Sequence, residues 1–391
     1  MIPGSFVLRL GLSQLVCWGV SYYLIGVFGE AIAADFGWSR DLVYGGFSVG
    51  LLVTGLSSPL VGRLIDARGG RDAMTLGSAT MAAGCLMLAA SRGVATYYGA
   101  WIILGLAMRL TLYDAAFAAL ARIGGPQAKR PMSQITLLGG LASTVFWPIG
   151  EALESHFGWR GAIIAYSAFA LMTVPVHLAI PSRRHSEMEN AAPRHFPPPL
   201  ATNPVDRRIA GALYALVAAV ANILNSGMSA RMIGVLTGLG LAAAASVWIS
   251  TLRGVGQSLS RLTEVLFGAR LDPLILNLTA TLALPFAFIA GLFSGGSTVA
   301  ALCFAFLYGA ANGILTITRG TLPLVLFDHR TYGALVGRLL APGFILSAAA
   351  PVAYAFAMER FGAAAALYVS LTLAVIALAA AALLAVRFRR A

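Results

Sequence analysis

The sequence predicts an all-α membrane protein with twelve transmembrane helices, arranged as two pseudo-symmetric bundles of six. Three observations predict this fold class: the apolar composition, the number and length of the apolar runs, and one polar segment near the middle. Of the 391 residues, 59% are hydrophobic and only 11% are charged, with a mean hydropathy of +0.82. Soluble globular domains are nearer about 45–50% apolar and about 25% charged. A chain this apolar cannot cover its surface with polar groups, so lipid must be part of its solvent.

The apolar runs are separated by glycine, proline and charged residues. A hydrocarbon core roughly 30 Å thick needs about 20 apolar residues in a helix, which satisfies its own backbone hydrogen bonds. The alternating pattern of a membrane β-strand is absent. The first run is too long for a signal peptide and lacks a small-residue cleavage site after it, so we expect a retained first helix. The predicted spans, numbered 1 to 12, cover residues 7–34, 41–61, 73–91, 96–121, 132–153, 160–180, 208–227, 234–263, 273–293, 298–320, 332–357 and 363–386.

The basic residues are unevenly distributed between the two sides of these spans. With the N-terminus inside, 19 of the 27 Lys and Arg residues fall in inner loops or span ends, five fall outside and three lie within spans. By the positive-inside rule, this bias places both termini in the cytoplasm and the chain in the plasma (inner) membrane. It also accounts for most of the net charge of +12, so no nucleic-acid partner is needed to explain that charge.

A proline-rich, charged segment divides the spans into two sets of six. We expect an N-terminal bundle over residues 1–182, a cytoplasmic linker over 183–207 and a C-terminal bundle over 208–391. The halves echo each other, because Gly62–Asp66 at the end of span 2 and Ser260–Glu264 at the end of span 8 both read small-Arg-Leu-x-acid. Repeated six-helix halves are typical of secondary transporters.

The loop between spans 2 and 3, GRLIDARGGR, is unusually rich in charge and glycine for this chain. Together with the twelve spans and the central linker, it resembles the signature loop of the major facilitator superfamily. The residues that match are Gly62, Asp66, Arg68, Gly70 and Arg71. The resemblance implies that Asp66 lies against the start of span 11, near residues 331–333, and latches the halves on the cytoplasmic side. A carboxylate there would meet the positive end of the helix dipole.

This loop is therefore predicted to be a gate element, and its echo adds Arg261 and Glu264 to the predicted gate residues. The alternative is that its arginines only set the topology. Within the superfamily, residues 36–71 resemble the bacterial monocarboxylate and oxalate–formate transporter branch. Members of that branch carry an arginine in helix 8, where this chain has Arg253.

Two arginines stand out as charges within predicted spans: Arg109 near the middle of span 4 and Arg253 in the inner half of span 8. A charge at this depth costs roughly 2.5–3.5 kcal/mol on insertion scales unless it faces water or a partner, so each is a functional candidate. The family resemblance implies that both helices approach a central cavity, where two guanidinium groups would suit an anion. The alternative is that a structural carboxylate neutralises each arginine.

Asp114 is the only carboxylate deep in a predicted span. It follows Arg109 by five positions, about 140° around a helix, so the two side chains are not expected to share a face. A pair with Arg319 of span 10 is the expected arrangement, with Asp114 either carrying a coupling proton or forming a fixed latch. Glu30, toward the outer end of span 1, is expected to have an exposed role rather than a coupling role.

Neutral polar side chains complete the predicted substrate site. Tyr113 follows Arg109 by four positions and is expected on the same helix face. The other predicted substrate contacts are Tyr22, Asn222 and Asn312. Tyr23 and Asn225 are further polar groups in these helices, and hydrogen bonds between helices are the alternative role for the asparagines.

The sequence thus predicts a secondary transporter, not an enzyme, that moves a small monocarboxylate-like anion by alternating access, coupled to protons or to exchange. The alternative is an efflux antiporter for drugs, metabolites or metalloid conjugates, since Trp147–Gly150 partly resembles the Gly-Pro element of superfamily antiporters. A receptor or membrane enzyme is the third hypothesis.

The predicted partners are the anionic substrate, a proton or counter-anion, and the lipid bilayer. We expect a monomer without cofactor or metal, and without ATP as the energy source because no Walker loop is present.

Overall fold

The computed structural model describes residues 2–182, 198–268 and 271–388. Within these ranges there are fifteen α-helices and two 3₁₀ helices, Gly125–Ala128 and His329–Thr331. The first part of the predicted linker, 183–197, and the predicted inner arginines Arg270, Arg389 and Arg390 lie outside the described residues. The α-helices are α1 (Gly4–Val20), α2 (Leu24–Phe36), α3 (Arg40–Arg68), α4 (Gly70–Ala89), α5 (Val94–Thr111), α6 (Tyr113–Gly124), α7 (Lys129–Gly139), α8 (Ala142–Met172), α9 (Val174–Leu178), α10 (Pro204–Gly238), α11 (Ala243–Phe267), α12 (Pro273–Leu292), α13 (Thr298–Leu326), α14 (Tyr332–Phe361) and α15 (Ala363–Phe388).

The predicted fold class, an all-α membrane protein, is confirmed. In the described part of the chain, nine helical stretches are long and apolar enough to cross a membrane. One of them, Val94–Leu178, contains predicted spans 4, 5 and 6, so the nine stretches hold eleven of the twelve predicted spans. The remaining span, number 8, corresponds to α11, which is less apolar because it carries Arg253, Arg261 and Glu264.

Several helix ends follow from local chemistry. Ser39, Asn203 and Asp272 each accept a backbone N–H at the start of a helix, which satisfies a donor that has no partner within the helix. At the other end, Gly37 terminates α2 in the left-handed conformation with φ +64°. Glycine favours this position because a Cβ would be strained there.

Three predicted spans contain breaks that hydropathy does not reveal. Span 1 is divided between α1 and α2 at residues 21–23, span 4 between α5 and α6 at Leu112, and span 5 between α7 and α8 at residues 140–141. The backbone of Leu112 is extended, with φ −75° and ψ −175°. Spans 5 and 6 meet inside α8 at Gly158, whose φ is +65°.

The predicted boundary between spans 7 and 8 is wrong by about two and a half to three helical turns at each side. The first helix, α10, continues to Gly238 rather than 227, and α11 begins at Ala243 rather than 234. The turn between them contains Gly240 with φ +102°. The predicted loop contains Arg231, but α10 continues through that position and the turn follows at residues 239–242.

The chain forms two compact units. The N-terminal unit comprises Met1–Pro197 and Asp328–Ala341, and the C-terminal unit comprises Pro198–Phe327 and Pro342–Ala391. The start of α14 therefore belongs to the N-terminal unit, although it follows the predicted linker by more than a hundred residues. Each unit has its own buried core, built around Trp101 and Tyr166 in the first and around Phe304 and Tyr354 in the second.

Within each unit, the second and fourth spans pack at backbone distance through small residues. In the N-terminal unit, a Cβ built on Gly105 of α5 would lie 2.3 Å from the carbonyl oxygen of Gly50 of α3. In the C-terminal unit, a Cβ on Gly309 of α13 would lie 2.0 Å from the carbonyl oxygen of Arg253 of α11. Small residues permit such close helix approach in membranes. The repeated arrangement holds Arg253 at a tight helix crossing.

Candidate functional site

The predicted contact between Asp66 and the start of span 11 is present. Asp66, near the end of α3, accepts hydrogen bonds from the backbone N–H groups of Gly333 (2.9 Å) and Ala334 (2.7 Å). These are residues of the first turn of α14, where N–H groups lack partners inside the helix. A carboxylate at this end is favoured by charge-assisted hydrogen bonds and by the helix dipole. We call this contact, with its glycines, the gate junction.

Glycine is required at the gate junction because the two helices touch through their backbones. A Cβ on Gly62 would lie 2.0 Å from the carbonyl oxygen of Gly333, and a Cβ on Gly337 would lie 2.5 Å from that of Ser58. The Ser58 hydroxyl also donates to the Gly337 carbonyl at 2.7 Å. The contact between α3 and α14 therefore extends over two helical turns.

Other basic residues near Asp66 hold the surrounding backbone. Arg71 Nε donates to the carbonyl oxygen of Ile180 at 2.8 Å, which ties the start of α4 to the chain after α9. Arg122, at the end of α6, donates from Nη1 to the Asp66 carbonyl oxygen. Sequence reasoning counted Arg122 only toward topology, and no local signal distinguishes it from the other inner arginines. Arg68 is exposed.

The echo of the gate motif in the C-terminal unit is buried. Arg261 and Glu264 are 3% and 5% exposed. Arg261 Nη2 donates to the hydroxyl of Thr316 on α13 at 3.3 Å. This element therefore packs α11 against α13 inside its own unit.

Arg109 and Asp114 form a buried ion pair, which corrects the expectation that they do not share a face. Arg109 Nη1 lies 3.0 Å from Asp114 Oδ2, and the two side chains are 3% and 9% exposed. The expectation assumed one continuous helix. Because α5 ends at Thr111 and Leu112 is extended, the 140° separation does not apply. The pair between Asp114 and Arg319 stays a prediction.

Aromatic rings cluster near the breaks of spans 1 and 4 in the N-terminal unit. The Trp18 ring lies 5.0 Å from Tyr22, beside the break of span 1, and 4.9 Å from Tyr113, beside the break of span 4. Tyr23 is 6.2 Å from the same indole. The Tyr113 hydroxyl donates to the Thr136 carbonyl at 3.1 Å. The break at Leu112 also removes the helical argument that placed Tyr113 on the face of Arg109.

Glu30 has the exposed role that was expected. It pairs with Arg40 at 2.9 Å, and both side chains are largely exposed. Nearby, Arg160 contacts Asp35 at 2.5 Å and lies 4.2 Å from the Trp159 ring centroid. These contacts join α2 to α3 and to α8 within the N-terminal unit.

In the C-terminal unit, Arg253 belongs to an amide cluster. Asn225 Oδ1, on α10, accepts from Arg253 Nη2 at 3.3 Å and from Asn312 Nδ2 at 3.0 Å. The Arg253 guanidinium lies 5.7 Å from the ring centroid of Tyr308, whose hydroxyl donates to the Leu224 carbonyl. We use the name amide cluster for Arg253, Asn225, Asn312 and Tyr308. Asn225 had no distinguishing signal in the sequence beyond being one of three candidate asparagines.

Asn222 contacts a different arginine. Its Oδ1 accepts from Arg319 Nη1 at 3.1 Å, and the Tyr214 hydroxyl donates to the Arg319 carbonyl at 2.7 Å. Asn222 and Asn225 are three positions apart on α10, a spacing that places side chains near each other on a helix surface. The structure thus assigns the two asparagines to two arginines.

The two predicted substrate arginines have different electrostatic surroundings. Arg109 is paired with the carboxylate of Asp114. Among the described residues, Arg253 forms no ion pair, and its hydrogen-bond partner is the neutral amide of Asn225. The Arg109 pair is therefore close to neutral, whereas the amide cluster carries a full positive charge.

Comparison with known proteins agrees with this architecture. The sequence profile of the Major Facilitator Superfamily matches residues 10–337. The human organic anion transporter MFSD10 (TETRAN) superposes with a TM-score of 0.70 at 17% identity, over 97% of this chain and 100% of that one. The proton:xylose symporter XylE, bound to 6-bromo-6-deoxy-D-glucose, superposes with a TM-score of 0.76 at 13% identity, over 99% and 95% of the two chains. At these identities the likeness concerns the fold alone. No curated protein sequence matches the chain.

Proposed function

Given that the chain belongs to the Major Facilitator Superfamily, we propose that this transporter moves a small monocarboxylate-like organic anion by alternating access. The positive-inside bias supports an inner-membrane location with both termini in the cytoplasm. The gate junction supports a cytoplasmic gate in which Asp66 holds the start of α14 in one state and releases it in another.

The observation that carries the anion proposal is that Arg253 has a neutral hydrogen-bond partner and no carboxylate partner among the described residues. A guanidinium at membrane depth needs a counter-charge, a wet cavity or strong hydrogen bonds, because burial of an uncompensated charge is costly. Its partner among the described residues is a neutral amide, so the charge is not cancelled locally. A substrate carboxylate would supply the missing charge, and the planar fork of arginine binds carboxylates with two parallel hydrogen bonds.

The Arg109–Asp114 pair supports a proposal for coupling. Protonation of Asp114 would remove the charge that Arg109 faces at 3.0 Å, so the pair would weaken when a proton binds. Asp114 is then the carrier of the coupling proton, and Arg109 is the group that responds to it. A purely structural pair would give transport that is independent of a pH gradient.

The experiment is uptake into proteoliposomes of labelled lactate, formate and oxalate, with neutral xylose for comparison, each with and without a pH gradient. We expect at least one anion to be taken up, with loss of uptake in Arg253→Ala. The matched control is Arg92→Ala, which deletes an exposed arginine of the outer loop between α4 and α5. The anion proposal is wrong if no anion moves, or if Arg253→Ala transports anions as well as the wild type.

The second candidate function is an efflux antiporter for drugs, metabolites or metalloid conjugates. The observation in its favour is the aromatic cluster of Trp18, Tyr22, Tyr23 and Tyr113, since such rings offer stacking surfaces for organic compounds. The same proteoliposomes distinguish the two functions. Proton-driven movement of aromatic drugs that survives Arg253→Ala, together with no anion uptake, would favour efflux.

A further inference from the structure

Asn225 holds a central position in the amide cluster. One oxygen atom, Oδ1, accepts from Arg253 on α11 and from Asn312 on α13, while Asn225 itself lies on α10. An amide oxygen has two lone pairs, so these two bonds use its accepting capacity and fix the orientation of the amide plane. Asn225 therefore determines where the Arg253 guanidinium is placed relative to three helices.

The neutral side chain at position 225 has an electrostatic consequence. The N-terminal unit shows the alternative, because Asp114 meets Arg109 at 3.0 Å and compensates its charge. Asn225 meets Arg253 at 3.3 Å through an oxygen that carries only a partial charge. Asparagine and aspartate have nearly the same shape, so the difference between the two arginines is mainly one of charge.

We propose that Asn225 is a specificity-determining and positioning residue: it orients the Arg253 guanidinium and, by being an amide, leaves its positive charge available to select an anionic substrate. This inference rests on the proposed function. It extends the proposed function, because the transporter's preference for a negatively charged substrate then depends on the residue at position 225 as well as on Arg253.

The Tyr308 ring supports this assignment. It lies 5.7 Å from the guanidinium carbon and is held in place by its hydroxyl bond to Leu224 at 2.9 Å. A ring face stabilises a cation without donating a negative charge to it. Both Asn225 and Tyr308 thus hold Arg253 while preserving its charge, and the guanidinium retains N–H donors beyond the one used at Asn225.

Two substitutions separate charge from position. Asn225→Asp keeps the shape and places a carboxylate against Arg253, so it should cancel the charge as Asp114 does for Arg109. We expect anion uptake to fall about tenfold or more, the effect of losing one charge-assisted contact.

Asn225→Ala removes the oriented oxygen but leaves the charge of Arg253. We expect it to raise KM for the anion several-fold with little change in the maximal rate and with preference for anions retained.

The matched control is Asn277→Ala, which truncates a buried amide of the same unit that accepts from Thr318 rather than from an arginine. All variants are compared with Arg253→Ala in the full-length protein, and folding is checked by thermal unfolding in detergent. We expect Asn277→Ala to leave KM for the anion within about twofold of wild type, as for a change outside the binding contacts.

The outcomes are distinguishable. If Arg253→Ala loses anion uptake but Asn225→Asp retains wild-type KM and rate, the role of Asn225 is overturned while the proposed function stands. If Arg253→Ala transports normally, the proposed function itself fails. If Asn225→Asp does not fold, Asn225→Ala tests the role of Asn225 instead. An unchanged KM for the anion in Asn225→Ala would contradict the positioning role.

Discussion

At the residue scale, the ion pair between Arg109 and Asp114 shows how a buried pair affects the stability of the folded protein. Both groups are buried within the membrane-spanning part of the N-terminal unit, 3.0 Å apart. Removing one member of such a pair leaves an uncompensated charge, whereas replacing both by apolar groups is often tolerated. The pair is thus sensitive to the loss of either partner but does not by itself indicate a large net stabilisation.

We predict that Asp114→Asn lowers the stability of the folded protein by about 3–5 kcal/mol, the range seen when a buried pair is broken. The double variant Arg109→Met with Asp114→Asn should recover a large part of that loss, because no buried charge remains. Thermal unfolding of the purified proteins in detergent measures both effects. Equal unfolding temperatures for wild type and Asp114→Asn would contradict the pair.

Sequence reasoning predicted some of these residues and missed others for physical reasons. Asp66 could be placed against the start of α14 because its motif resembles the signature loop of the superfamily, and because a carboxylate suits a helix N-terminus. The Arg109–Asp114 pair could not be predicted, since the break at Leu112 has no proline or glycine to mark it. Asn225 differs from Asn222 only in which arginine it meets, which is a matter of tertiary packing.

At the scale of elements, the gate junction depends on the close approach of α3 and α14. Gly62 has no room for a side chain, because a Cβ there would overlap the Gly333 carbonyl. The junction therefore has two parts, a backbone contact that requires glycine and a carboxylate that caps α14. Damage to the first part should weaken the second.

We predict that Gly62→Ala separates the two helices locally and exposes the backbone N–H groups of Gly333 and Ala334. The measurement is hydrogen–deuterium exchange of peptides covering residues 328–341, which should exchange faster than in the wild type. Gly254→Ala is the control, since Gly254 is also helical but a Cβ there meets nothing within 4 Å. Unchanged exchange in Gly62→Ala would show that the junction tolerates a methyl group.

The positions of helices were easier to predict than their interruptions. Eleven of the twelve predicted spans lie in stretches of the described residues that are long and apolar enough to cross a membrane, as a helix that satisfies its own backbone in lipid can be. Hydropathy did not locate the breaks at residues 21–23 and at Leu112, or the turn at Gly240, since apolar residues continue through them. The breaks lie beside the ion pair and the aromatic cluster, so the irregular backbone lies where candidate functional side chains meet.

For the whole molecule, composition and the repeated gate motif predicted the twelve-helix fold that the family match and the solved structures support. The substrate was beyond such reasoning. Intramembrane arginines are visible in a sequence, but whether each is neutralised depends on neighbours from other helices. The structure distinguishes Arg109, which has a carboxylate partner, from Arg253, which has an amide partner.

The most direct test of the account concerns the charge of Arg253 during transport. We predict that counterflow of labelled lactate, or of whichever anion the wild type accepts, is lost in Arg253→Ala and unaffected in Arg92→Ala. Arg253→Lys should retain slow counterflow with a raised KM, because lysine keeps the charge but not the bidentate fork. Counterflow by Arg253→Ala at the wild-type rate and KM would contradict the claim that this arginine holds the transported anion.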